Sequence, residues 1–293
     1  MTAGDSGQGL PKVAIIAGGG TLPLQLADAC RRTGRPYLVL AVDGFADEGV
    51  SAHPHERVGL ASFGRAFKLM RAADCEAMVF AGIISRPDFS KIKPDLVALK
   101  RIPRIVRAAR GGDNQLLGTI VSIFEEDGFT VLGAHEVAPD LLAPEGVFAA
   151  REPTEEDHAD IARGIEVVRA MGNFDIGQGA AVCDGLVLAV EAAEGTDRML
   201  ERCATLPRQM RGTEKKRKGV FVKAPKPGQE RRVDLPTIGP RTVERVAAAG
   251  MAGIAVEAGG TLILDREETV ALADEAGIFL YGFAAGEGAD ERA

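Results

Sequence analysis

The sequence has no tryptophan and only two tyrosines, so there are no aromatic belts of the kind that mark bilayer-spanning proteins. No apolar run reaches the length needed to cross a bilayer, and no secretory pattern precedes the first strand-like segment. Cysteine is scarce. Cys30, Cys75, Cys183 and Cys203 are scattered and never form a CxxC pair, which leaves disulfide and zinc frameworks without support and makes a reducing cytoplasm the expected setting. The four histidines (His53, His55, His135 and His158) fall into neither HxxxH nor HExxH spacing, so zinc catalysis is not expected. There is no GxSxG for a serine hydrolase and no Gly-Lys-Ser/Thr to complete a Walker A loop. Positive charge is in deficit, with a net charge of −7 over 293 residues, and no nucleic-acid partner is expected.

What remains is ordinary globular composition, 46% hydrophobic and 26% charged, at a length that suggests two domains. The first half alternates strand and helix. Lys12–Ala17 and Tyr37–Val42 are continuous apolar runs, as strands buried on both faces are. Between them Thr21 is the expected helix N-cap, with Pro23 in the first turn and Gly34 at the end. A helix over Phe63–Ala73, a strand over Ala77–Gly82, a helix over Asn114–Asp127 capped by Asp113, and a strand over Thr130–Ala134 complete a parallel sheet covered by helices. The prolines of Glu136–Gly146 break this rhythm. Thr154 and Asp157 then read as a capping box, and Asp184-Gly185 as a hairpin turn. The fold class is therefore α/β: a Rossmann-like parallel-sheet domain is expected over residues 11–138, a linker over 139–153, and a mixed α/β domain over 154–285.

Five stretches carry candidate chemistry. Gly18, Gly19, Gly20 and Thr21 join the first strand to a helix, where free N–H groups and the positive end of the helix dipole favour phosphate. The spacing is not GxGxxG, and a tight structural turn is the alternative reading. A nicotinamide-dependent oxidoreductase also stays open, with Asp43 ending the second strand where a ribose-binding acid belongs. So does a non-catalytic nucleotide-binding module. Arg86 and Lys91 follow the strand at Ala77–Gly82 and could meet a phosphate, and Asp113 or Asn114 could face a ligand. In the second half, Glu194 and Asp197 lie at a strand-to-helix turn, as candidates for a Mg2+ shell completed by phosphate oxygens. The last stretch, Lys223–Pro240, sets Lys223, Lys226, Arg231 and Arg232 on a proline-stiffened loop ahead of Asp234. Cations held beside a carboxylate suit a diphosphate and its metal. The expectation is that these cations keep Asp234 ionised as a metal ligand or as the base that orients water.

The segments AGGGTLP, FAGIISRPDFSKIKPD, GDNQLL, EAAEGTDRML and KAPKPGQERRVDLPTIGPRTV, in this order, resemble the UDP-2,3-diacylglucosamine diphosphatase family of lipid A biosynthesis. The match is to the form found in Gram-negative bacteria that lack the calcineurin-like isozyme. It spans about Lys12 to Gly282. The resemblance implies a Mg2+-dependent hydrolase that splits UDP-2,3-diacylglucosamine into UMP and 2,3-diacylglucosamine 1-phosphate. It further implies a cytoplasmic enzyme, peripheral at the lipid surface of the inner membrane. A homodimer is left open.

Overall fold

The computed structural model describes residues 10–84 and 94–285. The chain divides after Pro139 into two units. In the first, β1 (Val13–Ala17) is buried along its whole length, so it needs cover on both faces. α1 (Leu22–Thr33) follows and is closed by Gly34 in the left-handed conformation, φ 71°. Next come β2 (Tyr37–Val42), β3 (His55–Val58), α2 (Phe63–Ala72), β4 (Ala77–Ala81), α3 (Leu96–Ala109), α4 (Asp113–Glu126), β5 (Thr130–Leu132) and the short α5 (Ala134–Val137). All five strands run parallel, in the order β3-β2-β1-β4-β5. The chain first moves outward from β1 and then jumps back to β4, so the carboxyl ends of these two strands flank a switch point, where open α/β sheets leave a crevice.

Helix α3 was not anticipated, because Pro103 sits inside it and proline ordinarily breaks a helical pattern. Its start is fixed by Asp95. Oδ1 accepts from the Ala98 N–H (2.8 Å), while Oδ2 accepts from the N–H groups of Gly64 (2.7 Å) and Arg65 (3.2 Å) in the first turn of α2. One carboxylate thus satisfies orphan donors of two helices. Two expected caps differ. Thr21 holds the N-cap position in a helical conformation and makes no capping bond; its hydroxyl accepts instead from Gln25 Nε2 at 2.9 Å. The N-cap of α4 is Gly112, and Asp113 is the first helical residue.

The second unit contains β6 (Gly146–Val147), α6 (Glu155–Gly172), β7 (Gly179–Cys183), β8 (Leu186–Val190), α7 (Gly195–Ala204), β9 (Val220–Lys223), β10 (Thr237–Ile238), α8 (Pro240–Ala248), β11 (Gly253–Glu257), β12 (Leu262–Ile263), α9 (Arg266–Ala276) and β13 (Phe279–Phe283). Its main sheet has the order β6-β13-β11-β9-β7-β8. The inner strands β9, β11 and β13 are parallel, and the outer ones are antiparallel. Alternate residues of β9 serve opposite faces: Val220 and Val222 pack with Ile161, Ile165 and Val168 of α6, while Phe221 packs with Met199 and Leu200 of α7 and Val243 of α8. The capping box forms, with Thr154 Oγ1 accepting from the Asp157 N–H (3.2 Å) and Asp157 Oδ2 accepting from the Thr154 N–H (3.0 Å). The hairpin forms as well, and the Asp160 carboxylate accepts from the N–H groups of Asp184 and Gly185.

Of residues 139–153, expected as a linker, all but Pro139 belong to this second unit. β6 pairs with β13, the Phe148 N–H donates to Leu280 O (3.0 Å), and Ala143 is in the core. Prolines there shape an edge rather than a tether. Among the described residues no helix is long and apolar enough to cross a membrane.

Candidate active site

At the switch point of the first unit, the three consecutive glycines are committed to protein partners. The N–H groups of Gly18 and Gly19 donate to Ala81 O (2.8 Å) and Ile83 O (2.9 Å), and that of Gly20 donates to Asp47 Oδ2 (2.6 Å). The expected phosphate cradle of Gly18 and Gly19 is therefore occupied by the backbone that leaves β4. Gly20 already holds an anionic group, which marks it as the donor a ligand anion would compete for. The glycines permit a close crossing of two chains: a Cβ on Gly82 would lie 2.5 Å from Gly19 O, at a φ of 87°. Gly82→Ala is expected to cost at least about 2 kcal/mol of stability, measured by denaturant unfolding. An unchanged midpoint would show that the crossing relaxes freely.

Arg86 and Lys91 lie outside the described residues. Asn114 is half-buried in the first turn of α4, next to Asp113.

In the second unit, β9 and β11 run parallel and end at Lys223 and Glu257. Carboxyl ends of parallel strands are the usual place for a ligand. Lys223 is almost fully buried. Its Nζ donates to Thr196 Oγ1 (2.9 Å) and Thr237 O (3.1 Å). Burial pushes its pKa down, partly offset by the charges of Glu191 and Asp234. Thr196 in turn donates to Glu191 Oε1 at 2.8 Å. Glu191 is buried, and its Oε2 has no hydrogen-bond partner. Such an atom is rare enough in a folded protein to need a reason.

Above Lys223 the proline loop is internally cross-linked. Gln229 is buried; its Oε1 accepts from the Lys226 N–H (2.8 Å), and its Nε2 donates to Asp234 Oδ2. Asp234 is half-buried and is thereby aimed by a neutral amide. The cations expected around it are paired elsewhere: Lys226 with Asp175, Arg231 with Glu257 (3.3 Å), and Arg232 with Glu230 (2.8 Å). The loop is a mesh of matched charges rather than a free cationic patch.

The expected metal shell is likewise not assembled. Glu194 pairs with Arg202 at 2.8 Å, and Asp197 pairs with Arg241. No group of three or more His, Cys, Asp or Glu suited to a metal occurs among the described residues.

The sequence reading missed Glu191 as a site residue, and Glu257 altogether. Glu257 is buried between Arg231 and Arg169, the latter 3.8 Å away. Both acids follow Ala-Val at the carboxyl end of an apolar strand, in the segment AVEA. That repeated signal could have found them. Nearby glycines make room for both: a Cβ on Gly179 would lie 2.7 Å from Glu191 Oε2, and one on Gly260 would lie 2.5 Å from Glu257 Oε1.

Two family models match the chain. The one described as the LpxI N-terminal domain matches residues 12–141, and the one described as the LpxI C-terminal domain matches residues 144–281. A curated relative from Caulobacter vibrioides, UDP-2,3-diacylglucosamine pyrophosphatase LpxI, is 49% identical over 271 residues, which is 92% of this chain and 97% of that protein.

Proposed function

Because this chain belongs to the LpxI family, we propose that it hydrolyses the diphosphate of UDP-2,3-diacylglucosamine, releasing UMP and 2,3-diacylglucosamine 1-phosphate for lipid A synthesis. The observation that carries this reading is the near full-length identity to a protein named for that pyrophosphatase activity. The switch point at the ends of β1 and β4 is assigned to the nucleotide, whose phosphate would compete with Asp47 for the Gly20 N–H. The chemistry is assigned to the carboxyl ends of β9 and β11. Asp234, held by Gln229, would accept the hydrogen bond of the attacking water. Lys223 and Glu191, joined through Thr196, would set the floor of the site.

A divalent cation fits only in a reduced form. Glu194 and Asp197 are bound to arginines, so of the three carboxylates expected in the shell Asp234 is the one that would share Mg2+ with substrate phosphate oxygens. One protein carboxylate plus phosphates is a common arrangement for this ion, and the ion would neutralise charge on the diphosphate. The substrate bears acyl chains, so the enzyme is assigned to the cytoplasmic side of the inner membrane, as a peripheral protein.

The test is incubation of purified protein with UDP-2,3-diacylglucosamine and Mg2+ while following UMP. UMP release that stops in excess EDTA and returns with added Mg2+ is the expected result. Full activity in EDTA would remove the metal. Binding of the substrate without UMP under any divalent cation would leave a nucleotide-binding module in place of a hydrolase.

A further inference from the structure

Helix α3 presents an unusual outer face. Over Leu96–Arg110 it carries Lys100, Arg101, Arg104, Arg107 and Arg110 and no acidic residue, in a chain whose net charge is −7. Only Ala98 and Ala108 are buried. Leu96 is 78% exposed, Leu99 50% and Val106 47%. At about 100° per residue, Val106, Leu99, Pro103 and Leu96 fall within an arc of about 80°, and Arg107, Lys100 and Arg104 fall within the next arc of similar width. The exposed half of the helix is therefore an apolar stripe lying beside a basic one. Arg101 and Arg104 are engaged by Asp127 and Glu126. Lys100, Arg107 and Arg110 make no ion pair among the described residues.

We propose that α3 docks the protein on an anionic phospholipid surface, lying in the plane of the headgroups with Leu96, Leu99 and Val106 inserted. A short helix with a basic face and exposed aliphatic side chains has the composition of an interfacial element, and its length and charge forbid spanning. The occupant is argued from charge. Unpaired cations on an otherwise acidic protein attract anionic headgroups and repel a second copy of the same face. The inference extends the lipid-substrate reading above by naming the surface, and it does not depend on turnover.

The test is flotation of the full chain with vesicles of phosphatidylcholine alone or mixed with phosphatidylglycerol, without substrate. Binding that requires phosphatidylglycerol and weakens with salt is expected. Two variants, L96S/L99S/V106S and K100E/R107E, should each lower the bound-to-free ratio by at least about tenfold. The changed side chains are exposed, and circular dichroism checks that the fold is kept. Salt dependence of the wild type serves as the test should a variant misfold. No wild-type binding at any phosphatidylglycerol content, or normal binding by both folded variants, would overturn the proposal. So would a dimer that the same substitutions dissociate, since the face would then be an interface between copies. UMP release from detergent-dispersed substrate is measured in parallel. Its loss in the wild type would count against the proposed reaction alone.

Discussion

Asp234→Ala is expected to lower kcat for UMP release by at least about a hundredfold, the size of a lost catalytic group, with substrate affinity kept or improved. The carboxylate is half-buried, with Oδ2 fixed by Gln229. A group held in this way costs no reorganisation when charge develops in the transition state, so its loss falls on turnover rather than on binding. Removing a negative charge beside a diphosphate also relieves repulsion in the ground state. The competing explanation is mechanical. Asp234, Gln229 and the Lys226 N–H form one chain of hydrogen bonds across the loop, and cutting it costs about 1 kcal/mol. Asp234→Asn separates the two, because its amide oxygen still accepts from Gln229 while the charge is gone. A normal melting temperature with kcat as low as in the alanine variant assigns the effect to charge. Near-normal kcat in Asp234→Ala would remove this residue from the reaction.

Lys223→Met is expected to destabilise the protein by about 3 kcal/mol, because it removes charge-assisted hydrogen bonds to two buried acceptors and the cation nearest in effect to Glu191. The ammonium spends its donors on Thr196 and Thr237 and lies near the Glu191 carboxylate. Without it, Glu191 is left buried with an unpartnered Oε2 and loses the ammonium charge that favours its carboxylate. Glu191→Gln in the Lys223→Met background should recover part of the loss, which a double-mutant cycle measures. The pH dependence has a definite sign. Burial lowers the lysine pKa below 10.5, so between the lowered value and 10.5 the unfolded chain binds more protons than the folded one. The wild type therefore gains stability from this group as pH rises through that window, and Lys223→Met lacks the gain. If the variant unfolds at the wild-type midpoint, the ammonium is not structural, and Lys223 is again a candidate for binding phosphate directly.

Signals that are local in the chain were legible in the sequence. β1 and β2 are apolar runs with flanking turns, the Thr154–Asp157 box needs three residues of spacing, and the Asp184-Gly185 hairpin is a dipeptide. Long-range pairing was not legible. Glu194 and Asp197 look like companions in sequence, yet each is taken by an arginine, Arg202 and Arg241 respectively. Lys223, Lys226 and Arg231 look free because Glu191, Asp175 and Glu257 are distant in sequence, whereas Arg232 pairs with Glu230 only two residues away. Helix α3 was hidden by one proline. The segment before Thr154 looks like a tether because Gly146–Val147, the two residues that pair with β13, are too few to show a strand pattern among the prolines.

The pairing of β6 with β13 also orders synthesis. Residues 146–147 are the first strand of the second unit to leave the ribosome, and their partner, residues 281–282, belongs to its last strand. β6 must wait at the edge for nearly the whole unit to be made. The first unit has no such debt, because its final strand pairs with β4 by Thr130–Leu132. It can close its sheet on the nascent chain while the second is still being translated. A chain terminated before Phe279 keeps every strand pairing of the first sheet. In the second it loses β13, leaves β6 without its neighbour, and bares the edge of β11 for aggregation.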